Sequence, residues 1–354
     1  MNLKSQFINH HKRVRKLVCA LPILLCATIF FLTACRSPLA DVALPRFEFQ
    51  QPHMGTLFTI TLYASNQAAA QSAADAAFAR VAVLNEMMTD YDPESELMRL
   101  CRQPAGQPVV VSADLFAVLR EAIRIAKLTD GAFDPTIGPV VRQWRRARRT
   151  EILPTPVQLQ DARSRVGWQK ITLHESPNAP AVSLATNNMQ LDLGGIAKGY
   201  AADQALAVLR EHGINRALVA ASGDIAVGDP PPGQRGWRVS IGTPFQREGQ
   251  ARTLLLRNAA VSTSGDSEQF VVINGIHYSH IVDPRTGLGL TNRCQVSVVA
   301  PRATLSDAFA TAVSIVGAER GEKLIRSQKN LSAIIYQQTP GGIETIEINR
   351  LSGR

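Results

Sequence analysis

The sequence lacks the patterns that assign a chain at once to a common nucleotide-binding or metal-binding class. Residues 191–200, LDLGGIAKGY, are rich in glycine, yet they match neither the P-loop nor the G-x-G-x-x-G dinucleotide fingerprint. The chain has no internal repeat, no low-complexity segment and no cysteine spacing typical of zinc sites. The glycine pair is therefore open to two interpretations, a phosphate-binding loop or a tight strand-to-helix turn, and composition alone favours the turn.

The N-terminal 34 residues contain no acidic side chain and are typical of a secretory signal peptide. Five basic residues between Lys4 and Lys16 precede an apolar run from Leu17 to Ala34. The run ends in LTAC, which resembles a bacterial lipoprotein cleavage site, so Cys35 is the predicted lipid-bearing N-terminus. An uncleaved signal anchor is the alternative, because these 18 residues nearly span a bilayer. We expect a lipid-anchored, periplasm-facing protein of the cell envelope, on either the inner or the outer membrane.

Little net charge remains beyond this segment. Its five basic residues account for five of the nine net positive charges, which leaves +4. The basicity of the whole chain is therefore no evidence for nucleic-acid binding, and no such partner is expected. One basic cluster remains at Arg142–Arg149, and the scatter of its arginines around a helical wheel favours a solvated face over a partner site. A disulfide between Cys101 and Cys294 is permitted in an oxidising compartment, and the sequence leaves it open.

Hydrophobic periodicity predicts an α+β fold with largely antiparallel or mixed sheet and packed helices, because strands follow one another without strict alternation with helices. Residues 35–46 read as the lipidated cysteine and a tether, and residues 47–350 as a single domain, with two subdomains as an alternative. Helices are predicted over Gln67–Met88, Ala113–Leu128, 304–316 and a segment from Ile196 that Gly213 ends. Strands are predicted at 55–63, 170–173, 189–193, 216–221, 236–241, 252–256, 269–273, 277–282, 294–300, 331–336 and 343–348.

The segment SHIVDPRTG carries one candidate for proton transfer. His280 and Asp283 lie three residues apart at the end of a predicted strand. Histidine is the side chain best suited to accept a proton near neutral pH. Asp-Pro followed by glycine is also ordinary turn chemistry. Without further support, a hydrogen-bonded structural histidine remains the alternative.

The predicted helix at 304–316 carries a candidate metal site. Asp307, Ala310 and Thr311 fall on the face opposite its apolar stripe. A carboxylate and a hydroxyl four residues apart suit Mg²⁺, which takes oxygen ligands. The alternative is structural, because Thr304 as N-cap with Asp307 at the third position is close to a capping box.

Two further segments are rich in hydroxyls and in small residues. They are Ala221–Gly228 (ASGDIAVG) and Ser262–Phe270 (STSGDSEQF). Each is compatible with an anion site and equally with a turn at the end of a strand. Neither segment decides between the two.

Taken together, eight short motifs in a fixed order resemble one family, the FAD:protein FMN transferases of the ApbE type, formerly described as thiamine-biosynthesis lipoproteins. The resemblance extends over nearly the whole chain after Cys35. Its motifs are MGT at Met54–Thr56, YDPESEL at Tyr91–Leu97, GAFDPTIGP at Gly131–Pro139, DLGGIAKGY at Asp192–Tyr200, SGDI at Ser222–Ile225, STSGD at Ser262–Asp266, HIVDPRTG at His280–Gly287 and DAFAT at Asp307–Thr311.

The resemblance implies a Mg²⁺-dependent catalytic domain that splits FAD, transfers FMN to a threonine hydroxyl of a target protein and releases AMP. Because a threonine hydroxyl is a poor nucleophile, a base is expected, and His280 is the candidate, with Asp283 orienting its ring. The resemblance also implies that Gly195, through its carbonyl, and Asp307, Ala310 and Thr311 bind the metal. The FAD contacts that it implies are Met54, Tyr91, Ala132, Phe133, Asp134, Asp192, Lys198 and Val282.

The implied partners are threonine-bearing periplasmic domains of membrane redox complexes, such as subunits of the Na⁺-translocating NADH:quinone reductase or of Rnf-type complexes. Two alternatives to the transferase remain. One is a periplasmic FAD pyrophosphatase that yields FMN and AMP, and the other is a non-catalytic flavin-binding lipoprotein. The presence of both His280 and Asp307 argues against the second, because a passive FAD binder needs neither a base nor a metal ligand.

Overall fold

The computed structural model describes residues 44–242, 251–265 and 269–351, all within one compact unit. Cys35 and the signal segment lie outside these residues. The helices are α1 Gln67–Met88, α2 Glu96–Cys101, α3 Ala113–Leu128, α4 Gly138–Thr150, α5 Pro156–Ser164, α6 Ala197–Glu211 and α7 Ala303–Arg326. The strands are β1 Arg46–His53, β2 Thr56–Tyr63, β3 Val109–Val110, β4 Ile171–His174, β5 Ala181–Leu184, β6 Ala217–Ala221, β7 Asp224–Val227, β8 Trp237–Ile241, β9 Arg252–Leu256, β10 Ala259–Gly265, β11 Phe270–Ile273, β12 Ile276–Ser279, β13 Cys294–Ala300, β14 Ser332–Thr339 and β15 Gly342–Ile348.

An eight-stranded sheet organises the fold. Its order is β1-β2-β6-β7-β10-β13-β14-β15, and every neighbouring pair is antiparallel. Helices pack on one face of the sheet, so the predicted α+β class is confirmed. Three smaller sheets accompany it: β3-β5-β4, the hairpin β8-β9 and the ribbon β11-β12.

Both faces of this sheet are covered, which explains why all seven residues of β13 are buried. Val296 and Val298 point to the face on which α1, α6 and α7 pack. Val299, which has the opposite parity, joins the core formed with Trp237 and Leu254 of the β8-β9 hairpin. Side chains alternate across a strand, so each parity belongs to a separate apolar core.

Helices α6 and α7 cross at a glycine. A Cβ atom added at Gly199 would lie 2.2 Å from the carbonyl oxygen of Ala303 and 2.9 Å from Cβ of Asp307. Asp203, one turn further along α6, accepts hydrogen bonds from the backbone amides of Ala303 (2.8 Å) and Thr304 (2.9 Å). The start of α7 is thus capped by a carboxylate of α6, and the two helices approach each other closely.

A satellite layer packs around Trp144. This layer consists of α4 and α5 against the inner face of the ribbon β11-β12, with Val271 and Tyr278 in its apolar core. The Trp144 indole N–H donates a hydrogen bond to the carbonyl of Ser279 at 3.0 Å. Trp144 thereby ties α4 to the end of β12, immediately before His280.

Several predicted elements have different bounds or are absent. Residues 189–193 form no strand, although Leu191 and Leu193 are buried as their alternation predicts. The backbone of this segment bonds to loops: the Asp192 amide donates to the carbonyl of Pro135 at 2.8 Å. The predicted helix end at 316 coincides with a break in α7 at Gly317, where φ is +78°.

The two cysteines of the described chain, Cys101 and Cys294, are buried and are not joined to each other, so the disulfide that the sequence permitted is not formed. Within the described ranges, no helix is both long enough and apolar enough to cross a bilayer.

Candidate active site

A cavity of about 1140 Å³ opens between the main sheet, the start of α6 and the satellite layer. Its wall includes two segments that the sequence left undecided, Ser222–Asp224 after β6 and Thr263–Gly265 at the end of β10. Twelve of the predicted site residues line it: Met54, Tyr91, Ala132, Phe133, Asp134, Asp192, Gly195, Lys198, His280, Val282, Asp307 and Thr311. Residues from distant parts of the chain therefore converge on one cavity.

The glycine pair forms a tight turn on this wall. The Gly194 amide donates a hydrogen bond to Oδ1 of Asp192 at 2.8 Å, which closes the turn before α6. A Cβ atom added at Gly195 would lie 3.1 Å from Oγ1 of Thr311 and 3.3 Å from Cε2 of Phe133. Glycine at 195 therefore lets the backbone approach the Thr311 hydroxyl closely. Neither a P-loop nor a dinucleotide loop is present here.

Two buried carboxylates and one lysine form the charged part of the wall. Lys198 Nζ makes an ion pair with Asp224 and lies 3.9 Å from Oδ2 of Asp307. Burial, and then the negative charge of Asp224, raises the pKa of Asp307 to about 7. Burial lowers the pKa of Lys198, but the two carboxylates outweigh it and the net pKa is raised. Lys198 therefore carries a positive charge between two acids.

The oxygen donors around Asp307 fit a hard divalent cation. The Asp307 carboxylate, the Thr311 hydroxyl and the Gly195 backbone face the same cavity, and Mg²⁺ takes such ligands with only one or two carboxylates. Within the described residues, no three His, Cys, Asp or Glu side chains converge on a common point, so a carboxylate-rich cage is not present there. Ala310, in contrast, is fully buried and does not line the cavity, and its carbonyl accepts a hydrogen bond from Ser314 Oγ at 2.9 Å.

Asp307 does not serve as a helix cap. α7 begins after Arg302, and the carboxylate that accepts the first amide hydrogen bonds is that of Asp203. Asp307 Oδ2 instead accepts a hydrogen bond from the Gly199 amide at 3.1 Å. The capping-box alternative is therefore wrong, since Asp203 already supplies the cap and leaves Asp307 facing the cavity.

The ring of His280 is held by a backbone carbonyl. Its Nδ1 lies 3.1 Å from the carbonyl oxygen of Gln269, which also accepts the His280 amide at 3.0 Å. A carbonyl only accepts hydrogen bonds, so Nδ1 carries the hydrogen and the neutral ring has its lone pair on Nε2. This tautomer suits a proton acceptor.

The expected role of Asp283 is wrong. Its carboxylate binds the Arg285 side chain at 2.8–3.2 Å and accepts the Arg285 amide at 2.9 Å, so it stabilises the turn. Asp283 does not line the cavity. The His280 ring is oriented by the carbonyl of Gln269 instead of by Asp283.

Asp134 lines the cavity, but its carboxylate accepts hydrogen bonds from Thr136 in its own loop and from Trp168. Oδ1 accepts hydrogen bonds from the amide (2.8 Å) and hydroxyl (2.6 Å) of Thr136, and Oδ2 accepts from the Trp168 amide at 3.0 Å. Burial raises the pKa of Asp134, and these three donors oppose that effect. The carboxylate thus shapes the loop that places Ala132 and Phe133 on the wall.

Arg145 is a wall residue that the sequence did not indicate. Its guanidinium forms ion pairs with Asp90 and, at 3.2 Å, with Asp192, and it lies 4.4 Å from the ring centre of Tyr91. The Tyr91 side chain is 77% exposed, so this stack forms part of the cavity mouth. The expectation of a solvated arginine face is wrong for Arg145. A helical wheel shows which residues share a face of the helix, but it does not show that the face with Arg145 borders a cavity.

Met54 also lines the cavity. Its φ is +50°, in the left-handed region, and its amide donates a hydrogen bond to Oδ1 of Asn85 at 3.0 Å. A non-glycine residue held in this region is uncommon. The bond from Asn85 of α1 therefore fixes the turn between β1 and β2 at the cavity.

The fold and the cavity define an α+β protein with a nucleotide-sized site, in which basic side chains and hard oxygen ligands suit a phosphate-bearing substrate. The chain belongs to the ApbE family, whose profile matches residues 54–335. The resemblance seen in the sequence motifs is thereby confirmed.

Known relatives and solved structures agree with this assignment. The FAD:protein FMN transferase of Treponema pallidum is 35% identical over 296 residues, covering 79% of this chain and 82% of the relative. The enzyme of the same name from Haemophilus influenzae is 31% identical over 268 residues, covering 74% and 77%. The solved structure of the flavin transferase ApbE from Vibrio cholerae superposes with a TM-score of 0.76 at 28% identity, covering 86% of this chain and 98% of that one.

Proposed function

We propose that this chain is an FAD:protein FMN transferase, which moves FMN from FAD to a threonine hydroxyl of an acceptor protein and releases AMP. The observation that carries the proposal is the meeting of His280, Asp307 and the Gly195 turn on one cavity of about 1140 Å³. The shared name of the relatives from Treponema pallidum and Haemophilus influenzae supports it.

The reaction exchanges one phosphorus–oxygen bond for another. The threonine oxygen attacks the FMN phosphorus of FAD, the bond to the AMP oxygen breaks, and AMP leaves with its electron pair. His280 Nε2 takes the hydroxyl proton, while the Gln269 carbonyl holds the other ring nitrogen in place. Phosphoryl transfer requires mainly positioning and charge neutralisation, and these residues supply the first.

Mg²⁺ is part of this proposal. Asp307, Thr311 and the Gly195 carbonyl would hold the ion, which when bound neutralises charge that develops on the phosphate oxygens. Lys198, held between two carboxylates, supplies a fixed positive charge on the same wall. The glycine turn on this wall has no side chains, so its backbone would be able to approach the pyrophosphate closely.

We also propose the location and partners that the sequence implies. Cys35 would carry lipid at the membrane surface, with the remaining chain in the periplasm. The acceptors would be threonine-bearing periplasmic domains of the Na⁺-translocating NADH:quinone reductase or of Rnf-type complexes. The lipoprotein-like LTAC motif and the family's acceptor chemistry support this part.

Replacing Arg145 by glutamine is expected to weaken FAD binding about tenfold, because the substitution removes a charge-assisted contact to Asp192 at the cavity mouth. Flavin fluorescence titration measures the dissociation constant. Arg146→Gln is the matched control, because this exposed neighbour has no side-chain hydrogen bond or ion pair with any described residue. Equal FAD dissociation constants for the two variants would show that Arg145 does not contribute to FAD binding.

Replacing His280 by alanine is expected to leave the FAD dissociation constant within about twofold and to slow FMN transfer by about 10²–10⁴-fold, the usual contribution of a general base. Single-turnover transfer rates and fluorescence titrations separate the two effects. A loss of FAD binding together with the rate would make His280 a ligand contact instead of a base.

The test of the proposal is the dependence of AMP release on an acceptor. The full chain in detergent is incubated with FAD and Mg²⁺, with and without the threonine-bearing periplasmic domain of a Na⁺-translocating NADH:quinone reductase subunit. The transferase releases AMP only with the domain present. AMP at the same rate without the domain would indicate the pyrophosphatase, and tight FAD binding without any AMP would indicate the flavin carrier.

A further inference from the structure

The ribbon β11-β12 has one covered edge and one open edge. The His280 amide donates to the Gln269 carbonyl, so this pair is hydrogen-bonded across the hairpin. Hydrogen-bonded pairs alternate with non-bonded pairs in an antiparallel sheet. The backbone groups of Val271 and Ile273 therefore bond to β12. Those of Phe270 and Val272 point outward, away from β12, in the plane of the ribbon. On the far side of the ribbon, the Ser279 amide bonds to the Leu290 carbonyl at 2.7 Å.

The open edge belongs to β11. Within the described ranges, this strand pairs only with β12, and the outward backbone groups of Phe270 and Val272 have no hydrogen-bond partner. Unpaired edges of this kind are templates for a further strand, and folded proteins usually protect them with charged side chains or proline. β11 has neither, since its sequence is FVVI.

The β11 part of the ribbon's outer face is also apolar and exposed. Phe270 and Val272 are 44% and 50% exposed, and His277 of β12, which lies opposite Val272, stacks on the Phe270 ring at 4.3 Å, whereas the inward-facing Val271 and Tyr278 are buried against α4. A strand added at the edge would place alternate side chains against this face. An added strand would therefore bind through backbone hydrogen bonds to the edge, and the apolar side chains of β11 would select for apolar side chains in that strand.

This edge leads directly into the catalytic cavity. Gln269, the residue before β11, lines the cavity, and its carbonyl holds the ring of His280. A strand rises about 3.3 Å per residue, so a segment paired with Phe270 reaches the cavity rim within one or two further residues.

We propose that the open edge of β11 binds an extended segment of the acceptor protein as an added strand, which delivers the acceptor threonine to His280. The inference rests on the proposed transferase function. A row of outward amides and carbonyls is complementary to another peptide backbone, and neither a lipid nor a flavin offers that match. The acceptor segment is therefore extended, has apolar side chains at alternate positions beside Phe270 and Val272, and carries its threonine just beyond them.

The substitution Val272→Pro tests the edge selectively. It removes one outward N–H while leaving the hydrogen bonds to β12 in place, and proline is tolerated at such an edge position. Val272→Thr is the matched control, because it keeps the amide and the β-branched shape. The proline variant is expected to raise KM for the quinone reductase subunit domain about tenfold over the threonine variant, with an unchanged FAD dissociation constant. Equal KM values for the two variants, with wild-type transfer intact, would overturn the inference.

Hydrogen exchange on the unaltered full chain provides a second measurement that needs no edge variant. With FAD and the acceptor domain bound, the amides of Phe270 and Val272 are expected to become protected, whereas those of Val271 and Ile273 keep their protection. Protection that depends on the concentration of this chain alone would indicate pairing of two copies at the edge, and unchanged exchange of all four amides would exclude strand addition. Absence of transfer by the wild-type chain would instead refute the function on which the inference rests.

Discussion

Replacing Asp307 by asparagine is expected to lower the rate of FMN transfer about 10³-fold. Asp307 is the buried carboxylate that faces both Thr311 and the Gly195 turn, so it is the main anionic ligand for Mg²⁺. Without its charge the cation is not held where charge develops on the phosphate oxygens. Transfer rates at saturating FAD and acceptor measure the effect.

The fold itself should survive this change. Asparagine still accepts the Gly199 hydrogen bond, and removing the Asp307 charge relieves its repulsion by Asp224. The exposed Glu319→Gln on the same helix is the control and is expected to retain full activity. Because the pKa of Asp307 is about 7, Mg²⁺ competes with a proton there, so the half-saturating Mg²⁺ concentration rises as the pH falls below 7. An Asp307→Asn variant with wild-type Mg²⁺ dependence would place the cation elsewhere.

Replacing Gly199 by alanine is expected to lower the free energy of unfolding by about 3 kcal/mol. The added Cβ would stand 2.2 Å from the Ala303 carbonyl oxygen, which is backbone and moves only if α6 and α7 separate. The same movement would displace Asp307, whose Oδ2 accepts the Gly199 amide. Chemical denaturation measures the loss in stability, and the transfer assay measures the accompanying loss in rate.

Gly341→Ala is the control for this substitution, because an added Cβ there meets only Oγ1 of Thr339 at 3.9 Å. Its unfolding free energy is expected to stay within about 0.5 kcal/mol of the wild type. A Gly199→Ala variant as stable as Gly341→Ala would show that α6 and α7 have room to part, contrary to the packing described.

Local sequence signals predicted the four longest helices, α1, α3, α6 and α7, and ten of the fifteen described strands, but not α2, α4 or α5. The predicted bounds of α1 and α3 match the structure, because Asn66 and Ser112 cap regular apolar patterns. β7 and β10 were not recognised, since their polar and small residues lie on the cavity wall and lack alternation. The segment 189–193 alternates like a strand but bonds to loops, a distinction that depends on tertiary contacts.

The site shows the same division between local and long-range information. Motif order identified twelve residues that the fold brings to one cavity, including His280, Lys198 and Asp307. Arg145 and Asp224 were missed, because each gains its role only through partners distant in the chain. Asp283 was assigned to His280 because the two residues are close in sequence. In the structure, its carboxylate binds the even nearer Arg285.

The most direct test of the central claim is the intact mass of the acceptor domain after incubation with the full chain, FAD and Mg²⁺, followed by fragmentation to locate any addition. We expect a single increment of one FMN on a threonine, with one AMP released for each modified domain and no increment with the Asp307→Asn variant. AMP release with an unmodified acceptor, or FAD that remains intact, would contradict the central claim.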